Sequence, residues 1–111
     1  MKLESIALHY GYESDKNDQK SATTPIYQTS GFTIDSTQHG ADLFDLKVEG
    51  NIYSRIGNPT NAVLEKRVAE MEGGLAALSL ASGMAAITCS IQTITRAGDN
   101  IVSTNQLYGG T

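Results

Sequence analysis

A chain of 111 residues with 40% apolar and 18% charged side chains is globular material on the scale of one small domain, neither disordered nor fibrous. Its net charge of −4, with eight scattered Lys and Arg, builds no basic stripe and argues against a nucleic-acid partner. No apolar run approaches the roughly 18–20 residues of a membrane span. Met1-Lys2-Leu3-Glu4-Ser5 does not read as a secretory signal, and the single cysteine, Cys89, excludes an internal disulfide and suits a reducing, cytoplasmic setting.

In chain order, residues 1–50 differ from the rest. Asp15 to Lys20 is a polar tract, and Thr23 to Phe32 is hydroxyl-rich and extended. Pro25 biases Thr24 away from the helical region, and β-branched and aromatic neighbours favour extension. A short helix is expected near Thr37 to Leu46, with Leu43 and Leu46 packing together. Periodic apolar positions are too few to close a core, so residues 1–50 read as an arm that lies on another body.

Residues 51–111 are regular. Thr60 or Asn61 is expected to cap a helix running to about Glu72. Leu64, Val68 and Met71 fall at i, i+4 and i+7 and form its predicted apolar stripe, with Glu65, Lys66, Arg67 and Glu70 facing water. Gly73-Gly74 ends it. Leu75 to Leu80 is a short apolar run that fits a strand buried on both faces. A turn at Ala81-Ser82-Gly83 leads to a helix from about Met84 to Arg96, whose stripe is Met84, Ile87, Ile91 and Ile94. Ile101 to Thr104 reads as a second strand.

Strand, helix, strand predicts a right-handed crossover between parallel strands, hence an α/β class with an incomplete, mostly parallel sheet. Two strands are fewer than such sheets use. Gly110-Thr111 would lie just past the carboxyl end of a strand, where α/β sheets place ligands, and the domain is expected to continue beyond it.

Several residues are candidates for chemistry. Ser82-Gly83-Met84 stands at a strand-to-helix turn, where free N–H groups and the helix dipole suit an anion. A turn that only packs a helix onto a sheet would look the same. Arg55, in Tyr53-Ser54-Arg55, offers bidentate hydrogen bonds to a phosphate and Tyr53 offers a phenol. An ordinary surface arginine beside a half-buried tyrosine is the alternative. Tyr108 could stack on a flat ring and move a proton, or simply pack at a sheet edge. Cys89 is expected to be a buried structural thiol, and His9 and His39 to be arm contacts. No metal site is expected, because His9, His39 and Cys89 are single and widely separated.

Leu8-His9-Tyr10-Gly11-Tyr12, Pro25-Ile26-Tyr27-Gln28-Thr29, Gly50 to Thr60, Leu64-Glu65-Lys66-Arg67, Glu72-Gly73-Gly74, Ala81 to Ala86 and Gln106 to Thr111 occur in one order and spacing. Together they resemble the Cys/Met-metabolism (transsulfuration) family of pyridoxal 5′-phosphate (PLP) enzymes over nearly the whole chain. The resemblance implies the N-terminal arm (1–50) and the beginning of the PLP-binding large domain (51–111) of a fold type I, aspartate-aminotransferase-like enzyme. Gly40 to Phe44, Leu46-Lys47 and Gly50 to Tyr53 most resemble the O-acetylhomoserine sulfhydrylase branch. Methionine γ-lyases carry a cysteine at the place of Gly110.

The implied reaction is γ-replacement, turning O-acetyl-L-homoserine and sulfide (or a thiol) into L-homocysteine and acetate for methionine biosynthesis. By the same resemblance, Tyr53 and Arg55 hold the PLP phosphate of a neighbouring subunit, while Ser82, Gly83 and Met84 hold it in their own. Tyr108 stacks on the pyridine ring and assists proton movement. The implied assembly is a homotetramer of active dimers. Lys2, Lys16, Lys20, Lys47 and Lys66 do not stand in the setting of the family's Schiff-base lysine, so these 111 residues are expected to be a fragment inactive alone. A cystathionine γ-synthase or γ-lyase is the alternative within the family. A short non-catalytic protein that binds a subunit or an anion is the alternative outside it.

Overall fold

A computed structural model describes residues 1–111. Its helices are α1 (Leu3–His9), α2 (Thr37–Phe44), α3 (Pro59–Glu72) and α4 (Gly83–Ile94), with a 3-10 turn at Ser14–Lys16. Two compact units divide the chain, Met1–Ala77 and Leu78–Thr111.

The first unit is organised by α3. Pro59 occupies its first turn, where a missing N–H costs nothing, so the cap must precede the proline. Asn58 is that cap, its side chain accepting from the Thr60 N–H at 2.9 Å. The helix therefore begins before the expected Thr60 or Asn61. It ends as expected, with Gly73 in the left-handed region at φ 65°.

The face that α3 buries is not the expected one. Val63 and Ala69 are buried, whereas Leu64, Val68 and Met71 are exposed. Helix α1 packs on α3 and contributes the buried Ile6, and that contact selects the face. Arg67 does not simply face water. Its Nε donates to the Tyr10 carbonyl at 2.9 Å and its Nη1 to the Ala7 carbonyl at 3.2 Å. A cation thus satisfies the free carbonyls at the C-terminus of α1 and meets the negative end of its dipole. The Glu70 carboxylate hydrogen-bonds the Tyr10 phenol and holds its pKa above the ordinary value. Gly11 then turns the chain at φ 82°, and a Cβ there would stand 3.0 Å from Lys66 Cβ and 3.1 Å from the Val63 carbonyl.

Helix α2 starts at Ser36, which accepts from the His39 N–H at 3.1 Å. Leu43 is 3% exposed and Leu46 is 89% exposed, so the two do not pack together. Leu46 takes the left-handed conformation at φ 57° as the helix ends, which turns its side chain outward. Leu43 instead meets the returning chain at Gly50, where a Cβ would lie 2.6 Å from its Cδ2.

In the second unit, Ser82 caps α4 by accepting from the Ala85 N–H at 3.1 Å. The helix stops at Ile94, two residues before the expected Arg96. The Asp99 carboxylate takes the Arg96 N–H at 2.7 Å, and Gly98 at φ 99° completes that turn. No side chain of α4 is buried: Met84 and Ile91 are half-buried, and Ile87, Ile94 and Cys89 are exposed. The thiol is therefore not the buried one expected.

The runs Leu75 to Leu80 and Ile101 to Thr104 form no strands here, and the only pairing is an isolated antiparallel bridge between Gly31 and Tyr53. A strand exists through a ladder with a neighbouring segment, and no such ladder forms along either run. The expected parallel sheet is thus not formed by the 111 residues themselves.

Gly11 carries two independent demands, a positive φ and a close approach. Gly11→Ala is expected to lower unfolding stability by about 2–4 kcal/mol in thermal denaturation. Gly57→Ala, where an added Cβ meets nothing within 4 Å, is the control and stays within about 0.5 kcal/mol.

Candidate functional site

Tyr53 and Arg55 sit in a tight turn of the first unit. The Tyr53 carbonyl accepts from the N–H groups of Ile56 at 2.8 Å and Gly57 at 3.0 Å. Before the turn, the Phe32 N–H donates to the Ile52 carbonyl at 3.2 Å and the Ser54 N–H to the Ser30 carbonyl at 2.9 Å, which closes the Gly31–Tyr53 bridge. Beyond it, side chains replace the missing strand. Ser54 donates through its hydroxyl to the Thr29 carbonyl. Asn58 Nδ2 donates to the Tyr27 carbonyl at 2.9 Å, and Thr60 Oγ1 donates to the Pro25 carbonyl at 2.9 Å. In an extended chain alternate carbonyls point the same way, so carbonyls 25, 27 and 29 form one edge, read by three side chains. Thr60 Oγ1 also accepts the Tyr27 N–H at 2.9 Å, and Asn58 Nδ2 also reaches Ser54 Oγ at 3.0 Å.

This clasp presents Tyr53 and Arg55 at the surface. The Arg55 guanidinium carbon stands 5.2 Å from the centre of the Tyr53 ring, a cation–π arrangement that pre-orients both groups. Tyr53 is 41% exposed and Arg55 is exposed, so a phenol and a planar five-donor cation stand at the surface.

The second unit carries the other candidates. Ser82 Oγ is engaged as the cap of α4, which leaves its O–H to donate. The Gly83 and Met84 N–H groups belong to the first turn and have no partner within the helix. Gly83 has no positive φ, and a Cβ there would meet nothing within 4 Å, so neither strain nor packing in this unit requires glycine. The backbone at Gly83 is open to close approach. Tyr108 heads a turn closed by the Thr111 N–H donating to its carbonyl at 2.8 Å, and its ring lies over Gly110, where a Cβ would stand 2.8 Å from Cε1. Thr111 Oγ1 lies 3.9 Å from Met84 Sδ, so the Tyr108 turn borders the start of α4.

Each unit by itself carries groups of a kind that can bind a phosphate: a guanidinium beside a phenol in the first, and helix-start N–H groups beside a hydroxyl in the second. Three of the five lysines are engaged by neighbouring groups. Lys16 pairs with Glu13 at 2.7 Å, which raises its pKa and opposes use as a free amine. Lys20 Nζ donates to the Asp15 carbonyl at 2.9 Å, and Lys47 pairs with Asp45 at 2.8 Å. Asn58, Ser54 and Thr60 were not foreseen as parts of the site. The Asn-Pro pair at 58–59 was their signal, since it fixes a cap whose side chain faces the preceding loop.

The family described as Cys/Met metabolism PLP-dependent enzyme matches residues 4–111. The chain belongs to this family. O-acetyl-L-homoserine sulfhydrylase 1 of Thermus thermophilus is 54% identical over 111 residues, 100% of this chain and 26% of that protein. Homocysteine/cysteine synthase of Saccharomyces cerevisiae is 49% identical over 110 residues, 98% of this chain and 25% of that protein. A crystal structure assigned as an O-acetylhomoserine (thiol)-lyase from Campylobacter jejuni, containing N′-pyridoxyl-lysine-5′-monophosphate, superposes with a TM-score of 0.91 at 39% identity, covering 99% of this chain and 27% of that one. The chain thus spans about a quarter of the length of the relatives it matches, and its fold is that of the matching portion of the Campylobacter jejuni structure.

Neighbouring positions at the start of α4 are expected to act with opposite sign. Ser82→Ala removes the cap and lowers stability by about 1 kcal/mol. Gly83→Ala, in open space at an ordinary φ, raises it by up to about 0.5 kcal/mol. Paired thermal melts, with amide exchange in the first turn of α4, check both signs.

Proposed function

We propose that this chain is the N-terminal part of a PLP-dependent O-acetylhomoserine sulfhydrylase, converting O-acetyl-L-homoserine and sulfide to L-homocysteine and acetate. The supporting observation is similarity along the whole chain to sulfhydrylases and homocysteine synthases, and each unit by itself carries groups that can bind a phosphate. In this reaction a Cγ–O bond breaks as acetate leaves with the electron pair, and a Cγ–S bond forms from sulfide. PLP, when bound, supplies an electron sink for carbanion character at the substrate.

The chain's own residues supply binding and proton handling. Arg55 and Tyr53 hold the phosphate of a cofactor in a neighbouring copy, through charge-assisted and phenolic hydrogen bonds. Ser82, through its O–H, and Gly83 and Met84, through their N–H groups, hold the phosphate in their own copy, backed by the α4 dipole. Tyr108 lays its ring on the cofactor plane and carries a proton at its phenol oxygen. Residues 1–50 act as the arm toward the neighbour and residues 51–111 open the large domain, within a cytoplasmic homotetramer of active dimers. Leu75, Leu78, Ile101 and Val102 are exposed here, and the remainder of the enzyme covers them.

In the full-length enzyme, Arg55→Ala is expected to weaken PLP about 10- to 100-fold, measured by cofactor absorbance against dialysed apoenzyme. A PLP-loaded wild-type enzyme that forms no homocysteine from O-acetyl-L-homoserine and sulfide would remove the assigned reaction.

A further inference from the structure

We infer that Asn58, with Ser54, is a positioning device for the Tyr53–Arg55 grip, distinct from its role as a helix cap; the inference rests on the reading of Arg55 as a phosphate ligand. Asn58 is 9% exposed, the one buried polar residue of the chain. Its two side-chain ends do separate work. Oδ1 accepts the Thr60 N–H at 2.9 Å, which caps α3. Nδ2 faces the opposite way and donates to the Tyr27 carbonyl at 2.9 Å and to Ser54 Oγ at 3.0 Å.

Ser54 lies between the two grip residues, and its hydroxyl passes the connection on to the Thr29 carbonyl. Both neighbours of Ser54 are therefore fixed to α3 on one side and to the extended segment on the other. Helix α3 is the longest element of the unit, and a site referred to it keeps its geometry better than a free loop. A cap alone needs only an oxygen, and serine provides one as well as asparagine does. The amide NH2 is the extra feature, and both of its bonds lead toward the grip.

The two roles can be separated in the full-length holoenzyme. Asn58→Ser keeps a capping oxygen and is too short to reach Tyr27 or Ser54. It is expected to raise the Kd for PLP on the order of tenfold while shifting the melting temperature little. In an Arg55→Ala background the same change is expected to add almost nothing, because misplacing an absent guanidinium has no consequence. Ser54→Ala removes the next link and is expected to behave likewise, which carries the test if Asn58→Ser fails to fold. If Arg55→Ala leaves PLP affinity unchanged, the phosphate reading falls and the positioning role falls with it. If Arg55→Ala weakens PLP but Asn58→Ser and Ser54→Ala bind it as wild type does, the grip stands and the positioning role is overturned. Effects that simply add to that of Arg55→Ala overturn it as well.

Discussion

A buried amide side chain has two donors and an acceptor to satisfy, and leaving either end unpaired costs about 1–3 kcal/mol. Asn58 meets that demand with three different pieces of chain: the start of α3, the turn that carries Tyr53 and Arg55, and the extended segment around Tyr27. Because one planar group bonds all three, none can shift without breaking a bond of another. The Thr60 and Ser54 hydroxyls extend the same logic to the Pro25 and Thr29 carbonyls. An edge that would ordinarily need a neighbouring strand is thus paired by a helix terminus. That arrangement fixes the course of residues 25–32, and through the Gly31–Tyr53 bridge the direction in which the grip emerges.

The other end of α3 is tied by similar means. Apolar burial in the first unit is modest, with Ile6, Leu43, Val63 and Ala69 as the buried hydrophobic residues. Placement of α1 is therefore shared with directional contacts, above all the Arg67 guanidinium on the Ala7 and Tyr10 carbonyls. Hydrogen bonds fix register and orientation where a small apolar contact alone would allow sliding. Gly11 permits this closeness by presenting no Cβ to the α3 backbone. The amino-terminal helix is accordingly anchored on the chain's own α3.

Local signals were legible in the sequence, and partner-dependent ones were not. The helical period of α3, its glycine stop and the turn at Ser82-Gly83 follow from short-range chemistry and stand in the structure close to where the residues imply. Which face of α3 is covered depends on α1, and periodicity cannot name the partner. Leu64, Val68 and Met71 make as good a stripe as the one that is buried. The outward turn of Leu46 arises from a left-handed backbone, a conformation that leucine seldom signals. The apolar runs at 75–80 and 101–104 have strand chemistry, yet a strand is a relation between segments and these have no ladder here. The contact of Asn58 to Tyr27 spans 31 positions of the chain, which no local pattern announces.

The exposure of Arg55 and Tyr53 carries its own consequence. At a fully solvated surface, a guanidinium and a phosphate attract by about 1 kcal/mol at 4 Å, and salt screens that further. The same pair shielded from water gains several-fold, since the effective dielectric falls. A phosphate grip built from these exposed groups is therefore weak until further protein covers it. The pre-orientation of Arg55 over the Tyr53 ring lowers the entropic cost of forming that grip, but it does not replace the missing shielding. Under the proposed phosphate role, the strength of the contact therefore depends on how far further protein shields the pair from water.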